Sequence, residues 1–208
     1  MTTIDIFILL LIILGIISLC IAISIFLKRK NCNHSTGKMR NFPVNVDGKE
    51  YWISRSNAVV GIVFKWENGQ YHILANKRGN GCPDYVGKWN ITCGYVDYDE
   101  TIFDAVSREI FEETGLLVPK KDWKLWVVNS DPSDEKQTIS FRFYTIYWNG
   151  YGNLTSENSE PNEVDEIKWI PFSEVENYEW AFNQLQVITD FIEEVESGEL
   201  SNEKVKVY

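Results

Sequence analysis

The longest hydrophobic feature of the chain is an apolar run over residues 6–27 that contains no charged side chain. A helix of this length spans about 33 Å, which matches the hydrocarbon core of a bilayer. A basic triplet, 28–30, follows the run, whereas only Asp5 is charged before it. We therefore predict a single-pass transmembrane helix at 6–27, with residues 1–5 outside the cytoplasm and the rest of the chain inside it. The alternative of a cleaved signal peptide would need a basic N-terminal segment and a shorter run.

A polar segment over 28–42 reads as a juxtamembrane linker. Beyond it, apolar residues alternate with polar ones or recur at helical spacing, which predicts a folded domain over 43–196. The charged segment 197–208 predicts a flexible tail. The predicted strands are 50–54, 58–66, 70–78, 124–128, 138–148 and 167–170, and the predicted helices are 101–114 and 181–196. Strands combined with two helices indicate an α/β or α+β domain.

The charge balance narrows the range of functions. Lys and Arg number 20 against 30 Asp and Glu, giving a net charge of −10. This acidic excess argues against general nucleic-acid binding, which needs clustered positive charge, and is compatible with carboxylates that hold divalent cations. The four cysteines form no Cys-x-x-Cys pair, so a zinc ribbon is not expected. Two histidines are too few for a multi-histidine metal centre.

Three carboxylates share one face of the first predicted helix. Glu109, Glu112 and Glu113 stand at i, i+3 and i+4, beside an apolar stripe that includes Val106 and Ile110. Clustered carboxylates of this kind suit Mg²⁺ or Mn²⁺, which prefer oxygen ligands and bridge to substrate phosphates. Taken alone, the helix favours the simpler interpretation of a solvated acidic face.

A longer pattern surrounds these carboxylates. Residues 94–116 read Gly, five residues, Glu, seven residues, Arg-Glu-aliphatic-x-Glu-Glu-x-Gly-aliphatic. At every position this segment resembles the signature of the Nudix hydrolase family. The resemblance implies an α/β/α sandwich around a mixed sheet. It also implies an enzyme in which a metal and a carboxylate base activate water to cleave the diphosphate linkage of a nucleoside diphosphate derivative.

The resemblance also implies roles for individual acidic residues. Glu109, Glu112 and Glu113 would hold Mg²⁺ or Mn²⁺, together with the backbone carbonyl of Cys93, and Glu109 and Glu112 would be part of the catalytic centre. In the family the general base is often a glutamate in a late loop. Glu163 is the first candidate for that role here, and the alternatives are the neighbouring glutamates Glu160 and Glu166.

Four further motif residues are implied to be structural. Arg108 and Glu100 would form an internal salt bridge that fastens the helix to the preceding loop. Gly94 and Gly115 would adopt backbone torsions that other residues avoid.

Substrate recognition is less specified by the sequence. Arg78 ends a predicted strand where the family often places a phosphate-binding arginine, and Arg142 is a second cationic candidate. Four aromatic residues are candidates for stacking on a nucleobase: Tyr85, Trp89, Tyr95 and Tyr98, although Trp89 is equally compatible with a position in the core.

Two alternatives stay open. Cys93 resembles the catalytic cysteine of isopentenyl diphosphate isomerases, although no histidine accompanies it, and a buried inert thiol is the simpler interpretation. The second alternative is a catalytically silent domain that senses a ligand. The acidic charge disfavours RNA decapping. We therefore predict a membrane-anchored Nudix-type hydrolase with a cytoplasmic catalytic domain. The resemblance to the family also implies a homodimer.

Overall fold

The computed structural model describes residues 41–133, 136–201 and 205–207. The predicted transmembrane helix at 6–27 and most of the predicted linker lie outside these residues. Within the described part of the chain, no helix is both long enough and apolar enough to cross a membrane.

The described residues fall into two compact units that divide between Ser54 and Arg55. Strands β1 (Phe42–Val46) and β2 (Lys49–Ile53) form an antiparallel hairpin in the first unit. The sequence predicted the second of these strands but not the first. The sequence also placed the start of the domain at 43, whereas the second unit begins at Arg55.

The second unit contains the remaining strands and both predicted helices. The strands are β3 (Asn57–Glu67), β4 (Gln70–Arg78), β5 (Trp89–Asn90), β6 (Cys93–Tyr95), β7 (Lys124–Asn129), β8 (Ile139–Ile146), β9 (Val164–Pro171) and β10 (Lys206–Val207), and the helices are α1 (Ile102–Thr114) and α2 (Gln184–Ser197). Short 3₁₀ helices lie at Lys120–Asp122, Asn149–Tyr151, Phe172–Asn177 and Glu199–Ser201. The last of these and β10 fall in the segment that was predicted to be a flexible tail. β10 pairs with β7.

The sheet of this unit is mixed, as the sequence predicted. Its order is β10-β7-β8-β3-β4-β5, with β6 paired to β3 and β9 paired to β4. The β3–β8 and β7–β10 pairs are parallel and the others are antiparallel.

Alternating residues of β3 supply two separate hydrophobic cores. Val59 and Val63 pack with Val106 and Ile110 of α1, whereas Ile62 packs on the other side with α2 residues. A Cβ on Gly61 would lie only 3.0–3.2 Å from the side chains of Val106, Ile110 and Trp123. Helix α1 therefore approaches the sheet closely at Gly61. The two helices therefore cover opposite faces and give the predicted α/β/α sandwich.

The sheet forks between β3 and β4. These strands pair with each other only over residues 64–67 and 70–73, next to their connecting turn. Farther along, β3 pairs with β6 and β4 pairs with β5, whereas β9 pairs along the other edge of β4. The segment 89–95 therefore occupies the fork, and α1 ends above it.

Candidate active site

Helix α1 is bounded by signals that are local in sequence. The Thr101 side chain caps the first turn by accepting from the backbone N–H of Asp104, and the Asp104 carboxylate accepts from the Thr101 N–H in return. Gly115 ends the helix with a left-handed φ of 77°, as its predicted structural role requires. The predicted acidic triplet therefore falls in the last two turns of the helix.

One guanidinium organises this acidic face. Arg108 donates to both carboxylate oxygens of Glu100, at 2.8 and 3.1 Å, so the predicted ion pair is present. It also donates to Glu109 at 2.8 Å and to Glu112 at 3.0 Å. The backbone carbonyl of Tyr95 is a further acceptor, at 3.0 Å. Arg108 therefore ties the loop before α1 to the carboxylates at the end of α1.

Glu113 is turned into the protein. It is 4% exposed and accepts a hydrogen bond from the Asn76 side-chain amide on β4. Burial raises the pKa of Glu113 well above its usual range, and the neighbouring charge of Glu109 raises it further. The Oδ1 atom of Asn76 is itself buried without a hydrogen-bond partner. Among the described residues, an asparagine and not a cation therefore binds the Glu113 carboxylate.

Glu109 lies against the backbone of the fork. Burial is the main reason that its pKa rises to about 7, although Arg108 acts in the opposite direction. A Cβ on Gly94 would overlap the Glu109 carboxylate. Gly94 does not have a positive φ. The predicted structural role of Gly94 thus rests on space for the carboxylate and not on an unusual torsion.

Glu163 is brought to the same acidic group. Its charge raises the pKa of both Glu109 and Glu113, and burial raises its own pKa. Its backbone is fixed because the carbonyl accepts from the Gly79 N–H at 2.7 Å. The alternatives Glu160 and Glu166 are exposed, and Glu166 lies within strand β9.

The backbone carbonyl of Cys93 points away from β3, and its thiol is desolvated inside the protein. The flanking hydrogen bonds, from Gly61 to the Thr92 carbonyl and from Val96 to the Asn57 carbonyl, place Cys93 at a non-hydrogen-bonded position of the β3–β6 pair. Its carbonyl therefore points away from β3, as that of Tyr95 does toward Arg108.

Desolvation raises the pKa of the Cys93 thiol to about 12. The sulfur accepts a hydrogen bond from the Gln184 amide of α2 at 3.5 Å. A thiol with this pKa stays protonated at neutral pH, as the simpler interpretation of a buried inert thiol expects.

Arg78 is held at the edge of this group. Its guanidinium donates to the carboxylate and the backbone carbonyl of Asp84, both at 3.0 Å. Lys136 binds the same carboxylate at 2.7 Å. The positive charge of Arg78 lowers the pKa of Glu163, so this candidate phosphate ligand lies near the carboxylates.

The other two predicted substrate ligands are placed differently. The Tyr95 side chain is 59% exposed next to the Arg108 network. Arg142 lines a cavity with Asp190 and Glu193 of α2. It pairs with Val60, whose side chain packs in the α2 core, so strand alternation directs Arg142 to the face opposite α1. Its position does not fit the predicted role beside the α1 carboxylates.

Sequence reasoning missed two polar residues of the fork. Asn76 holds Glu113, and Gln184 bonds both the N–H and the carbonyl of Ile91, at 2.5 and 3.2 Å. Asn76 carried a signal, because it directly follows the apolar run 73–75 within β4. Gln184 carried no such signal, because polar residues are common in the first turn of a helix.

The donor set fits a divalent cation. Glu109, Glu112, Glu113 and Glu163 influence one another electrostatically, and among the described residues no Lys or Arg forms an ion pair with Glu113 or Glu163. A cation would compensate this excess negative charge, and carboxylate oxygens are the ligands that Mg²⁺ and Mn²⁺ prefer. Among the described residues, no group of three or more His, Cys, Asp or Glu side chains is arranged closely enough to hold a metal ion. Arg108 holds Glu109 and Glu112, and Asn76 holds Glu113.

Comparisons with known proteins agree with this geometry. A family model described as NUDIX domain matches residues 55–191. An ADP-ribose pyrophosphatase of Methanocaldococcus jannaschii is 29% identical over 180 residues, covering 78% of this chain and 96% of that one.

Two solved structures share the fold at lower identity. The NUDIX domain of Shewanella oneidensis NrtR, complexed with ADP ribose, matches with a TM-score of 0.57 and 20% identity, covering 69% of this chain and 90% of that one. A bifunctional NMN adenylyltransferase/ADP ribose pyrophosphatase of Francisella tularensis, complexed with AMP and a manganese ion, matches with a TM-score of 0.53 and 22% identity, covering 68% and 42%.

Proposed function

The chain belongs to the Nudix domain family, and we propose that this pyrophosphohydrolase cleaves the diphosphate linkage of ADP-ribose or a closely related nucleoside diphosphate derivative. The observation that carries the proposal is the acidic end of α1 over the fork of the sheet, where Gly94 leaves space for the Glu109 carboxylate, Asn76 binds Glu113, and the charge of Glu163 raises the pKa of both glutamates. The similarity to the Methanocaldococcus jannaschii ADP-ribose pyrophosphatase supports the choice of substrate.

The residues that would hold Mg²⁺ or Mn²⁺ are Glu109, Glu112 and Glu113, with the carbonyl of Cys93. A divalent cation bound there would neutralise part of the diphosphate charge and lower the pKa of the attacking water. Arg108 keeps Glu109 and Glu112 in place, because its guanidinium bridges them to the preceding loop. Arg78 is positioned to orient a phosphate group at the edge of the site.

Glu163 is the proposed general base. Burial raises its pKa, which makes the carboxylate a better proton acceptor than a solvated glutamate. Glu163 is anchored by its backbone carbonyl, and no guanidinium of the described residues forms an ion pair with its carboxylate, which is therefore available to take a proton from water. The water oxygen then bonds to one phosphorus, the bond from that phosphorus to the bridging oxygen breaks, and the bridging oxygen leaves with the other phosphate.

Hydrolysis of ADP-ribose by the full-length chain in ¹⁸O-water tests this proposal. We expect Mg²⁺-dependent formation of AMP and ribose 5-phosphate, with one ¹⁸O atom in one of the two products. Glu163→Gln is expected to slow turnover by about 100-fold, since the amide cannot accept the proton. Matched variants Glu160→Gln and Glu166→Gln are expected to stay within threefold of wild type, because both side chains are exposed.

Two outcomes would contradict these expectations. Absence of ADP-ribose cleavage at any Mg²⁺ or Mn²⁺ concentration would contradict the function. A large loss in Glu160→Gln or Glu166→Gln, with Glu163→Gln unaffected, would move the base to another acid.

We also propose that the apolar run over 6–27 anchors the enzyme in a membrane with its catalytic domain in the cytoplasm. Its support is the sequence pattern and the basic triplet at 28–30. Membranes washed at alkaline pH are expected to retain the full-length chain and to release a variant lacking residues 1–30. Release of the full-length chain would exclude an integral anchor. The homodimer stays a prediction.

A further inference from the structure

The segment 79–82, Gly-Asn-Gly-Cys, lies against the loop that carries the proposed general base. This glycine segment directly follows β4, and the residues that it contacts, 161–163, directly precede β9. β4 and β9 are paired strands whose register shifts at the end of β4, between Lys77 and Arg78. The glycine segment and residues 161–163 therefore lie side by side beyond this irregularity.

Three hydrogen bonds join the glycine segment to the backbone around Glu163. Gly79 N–H donates to the Glu163 carbonyl and Gly81 N–H donates to the Asn162 carbonyl, both at 2.7 Å. The Cys82 thiol donates to the Glu163 carbonyl as well, at 3.3 Å. All three donors belong to four consecutive residues, so the backbone of Glu163 is held from one side by one short piece of chain.

The two glycines are needed for space. A Cβ on Gly79 would overlap the Asn162 carbonyl oxygen, and a Cβ on Gly81 would lie 2.5 Å from the Pro161 carbonyl oxygen. Neither glycine has a positive φ, so an unusual torsion is not the reason for either. Asn162 itself has a φ of 62°, in the left-handed region that asparagine tolerates better than most residues. The two backbones thus approach each other as closely as glycine allows.

The third donor is a buried thiol. Cys82 is 8% exposed, and burial is the main reason that the pKa of its thiol is raised. A thiol with a raised pKa keeps its proton at neutral pH, so it stays a hydrogen-bond donor to the Glu163 carbonyl.

The loop that begins with the glycine segment also holds the candidate phosphate ligand. Arg78 directly precedes Gly79, and its guanidinium donates to the carboxylate and the carbonyl of Asp84, both at 3.0 Å. The charge of Arg78 lowers the pKa of Glu163, so the two side chains lie near each other. One loop therefore contacts both the candidate phosphate ligand and the candidate base.

We propose that the glycine segment positions the general base: it fixes the backbone of Glu163 so that the carboxylate stays beside Glu109 and Glu113. The proposal rests on the proposed function, because it presupposes that Glu163 takes the proton from water. A base works only within hydrogen-bond reach of that water, and a misplacement of about 1 Å can cost about 100-fold in rate. Gly79, Gly81 and Cys82 are positioning residues in this scheme, since they act through Glu163.

A double-mutant cycle on the full-length chain, with ADP-ribose and Mg²⁺, tests the proposal. Gly81→Ala places a methyl group against the Pro161 carbonyl. It is expected to lower kcat at least about tenfold and to change KM less than about threefold. In the Glu163→Gln background the same substitution is expected to lower kcat less than about twofold, because displacing a side chain that cannot accept a proton has no further cost.

The segment itself provides the controls. Asn80 is exposed between the two glycines, and Asn80→Ala is expected to keep kcat within about twofold of wild type. Cys82→Ala removes one donor and is expected to lower kcat about threefold. Cys82→Ser is expected to restore kcat to within about twofold, because its hydroxyl can donate to the same carbonyl. The two cysteine variants decide the question by themselves should Gly81→Ala not fold.

Separate outcomes would overturn the positioning role and the proposed function. An equal loss of kcat from Gly81→Ala in both backgrounds, or unchanged kcat in Cys82→Ala and Gly81→Ala alike, would overturn the positioning role while wild-type hydrolysis of ADP-ribose still supported the function. Unchanged kcat in Glu163→Gln would overturn the positioning role together with the choice of base. Absence of wild-type hydrolysis would overturn the positioning role together with the function.

Discussion

Full-length protein carrying Glu112→Gln is expected to hydrolyse ADP-ribose at least about 1000-fold more slowly than wild type, while unfolding at the same temperature. The Glu112 side chain is 40% exposed, and its ion pair to Arg108 spans one helical turn at 3.0 Å. An exposed pair of this kind contributes less than about 1 kcal/mol to stability. The amide keeps the shape of the side chain but removes the charge that the proposed metal site requires.

Steady-state kinetics with Mg²⁺ and thermal unfolding, measured on the same preparations, check this expectation. Glu196→Gln is the matched control, because Glu196 is an exposed helical glutamate of α2. It is expected to match wild type in both measurements. Activity of Glu112→Gln within threefold of wild type would remove this residue from the proposed catalytic centre.

Arg108→Met is expected to destabilise the protein by about 2 kcal/mol as well as to reduce activity. The substitution leaves Glu100 and Glu109, both less than 15% exposed, without their cation. It also frees the Tyr95 carbonyl. This loss of stability is smaller than the loss expected for a fully buried ion pair, because the Arg108 guanidinium is partly exposed.

Urea unfolding of the full-length protein measures this effect. Lys77→Met removes an exposed ion pair to Asp165 at 3.3 Å and is expected to cost less than about 1 kcal/mol. Arg108→Lys retains the charge, but an ammonium group cannot reproduce the planar, multiply donating guanidinium, so an intermediate loss is expected. Equal stability of Arg108→Met and wild type would show that the acidic face does not depend on this arginine.

The site was most predictable where its contacts are local in sequence. Glu100 and Arg108 are eight residues apart, and Thr101 and Gly115 bound the helix that carries the acidic triplet. Caps, helical spacing and short-range pairing depend on neighbouring residues, so the sequence pattern contains them.

The remaining parts depend on which strands are neighbours. Asn76 reaches Glu113 across 37 residues, and Gln184 reaches Ile91 across 93. The acidic loop offered three glutamates for one role, and only the path of the chain past Gly79 brings Glu163 to the carboxylates. The pairing of Lys206–Val207 with β7 also joins residues that are far apart in sequence.

The sequence by itself determined the family signature, helix α1, its acidic face and the strand pattern, because periodicity and capping act over a few residues. Only the tertiary structure decided which face of the sheet each strand residue occupies. That alternation directs Arg142 toward α2, away from the α1 carboxylates. It also decided that Gly94 is needed for the space beside Glu109. Packing distances between separate elements, and not local propensity, set both results.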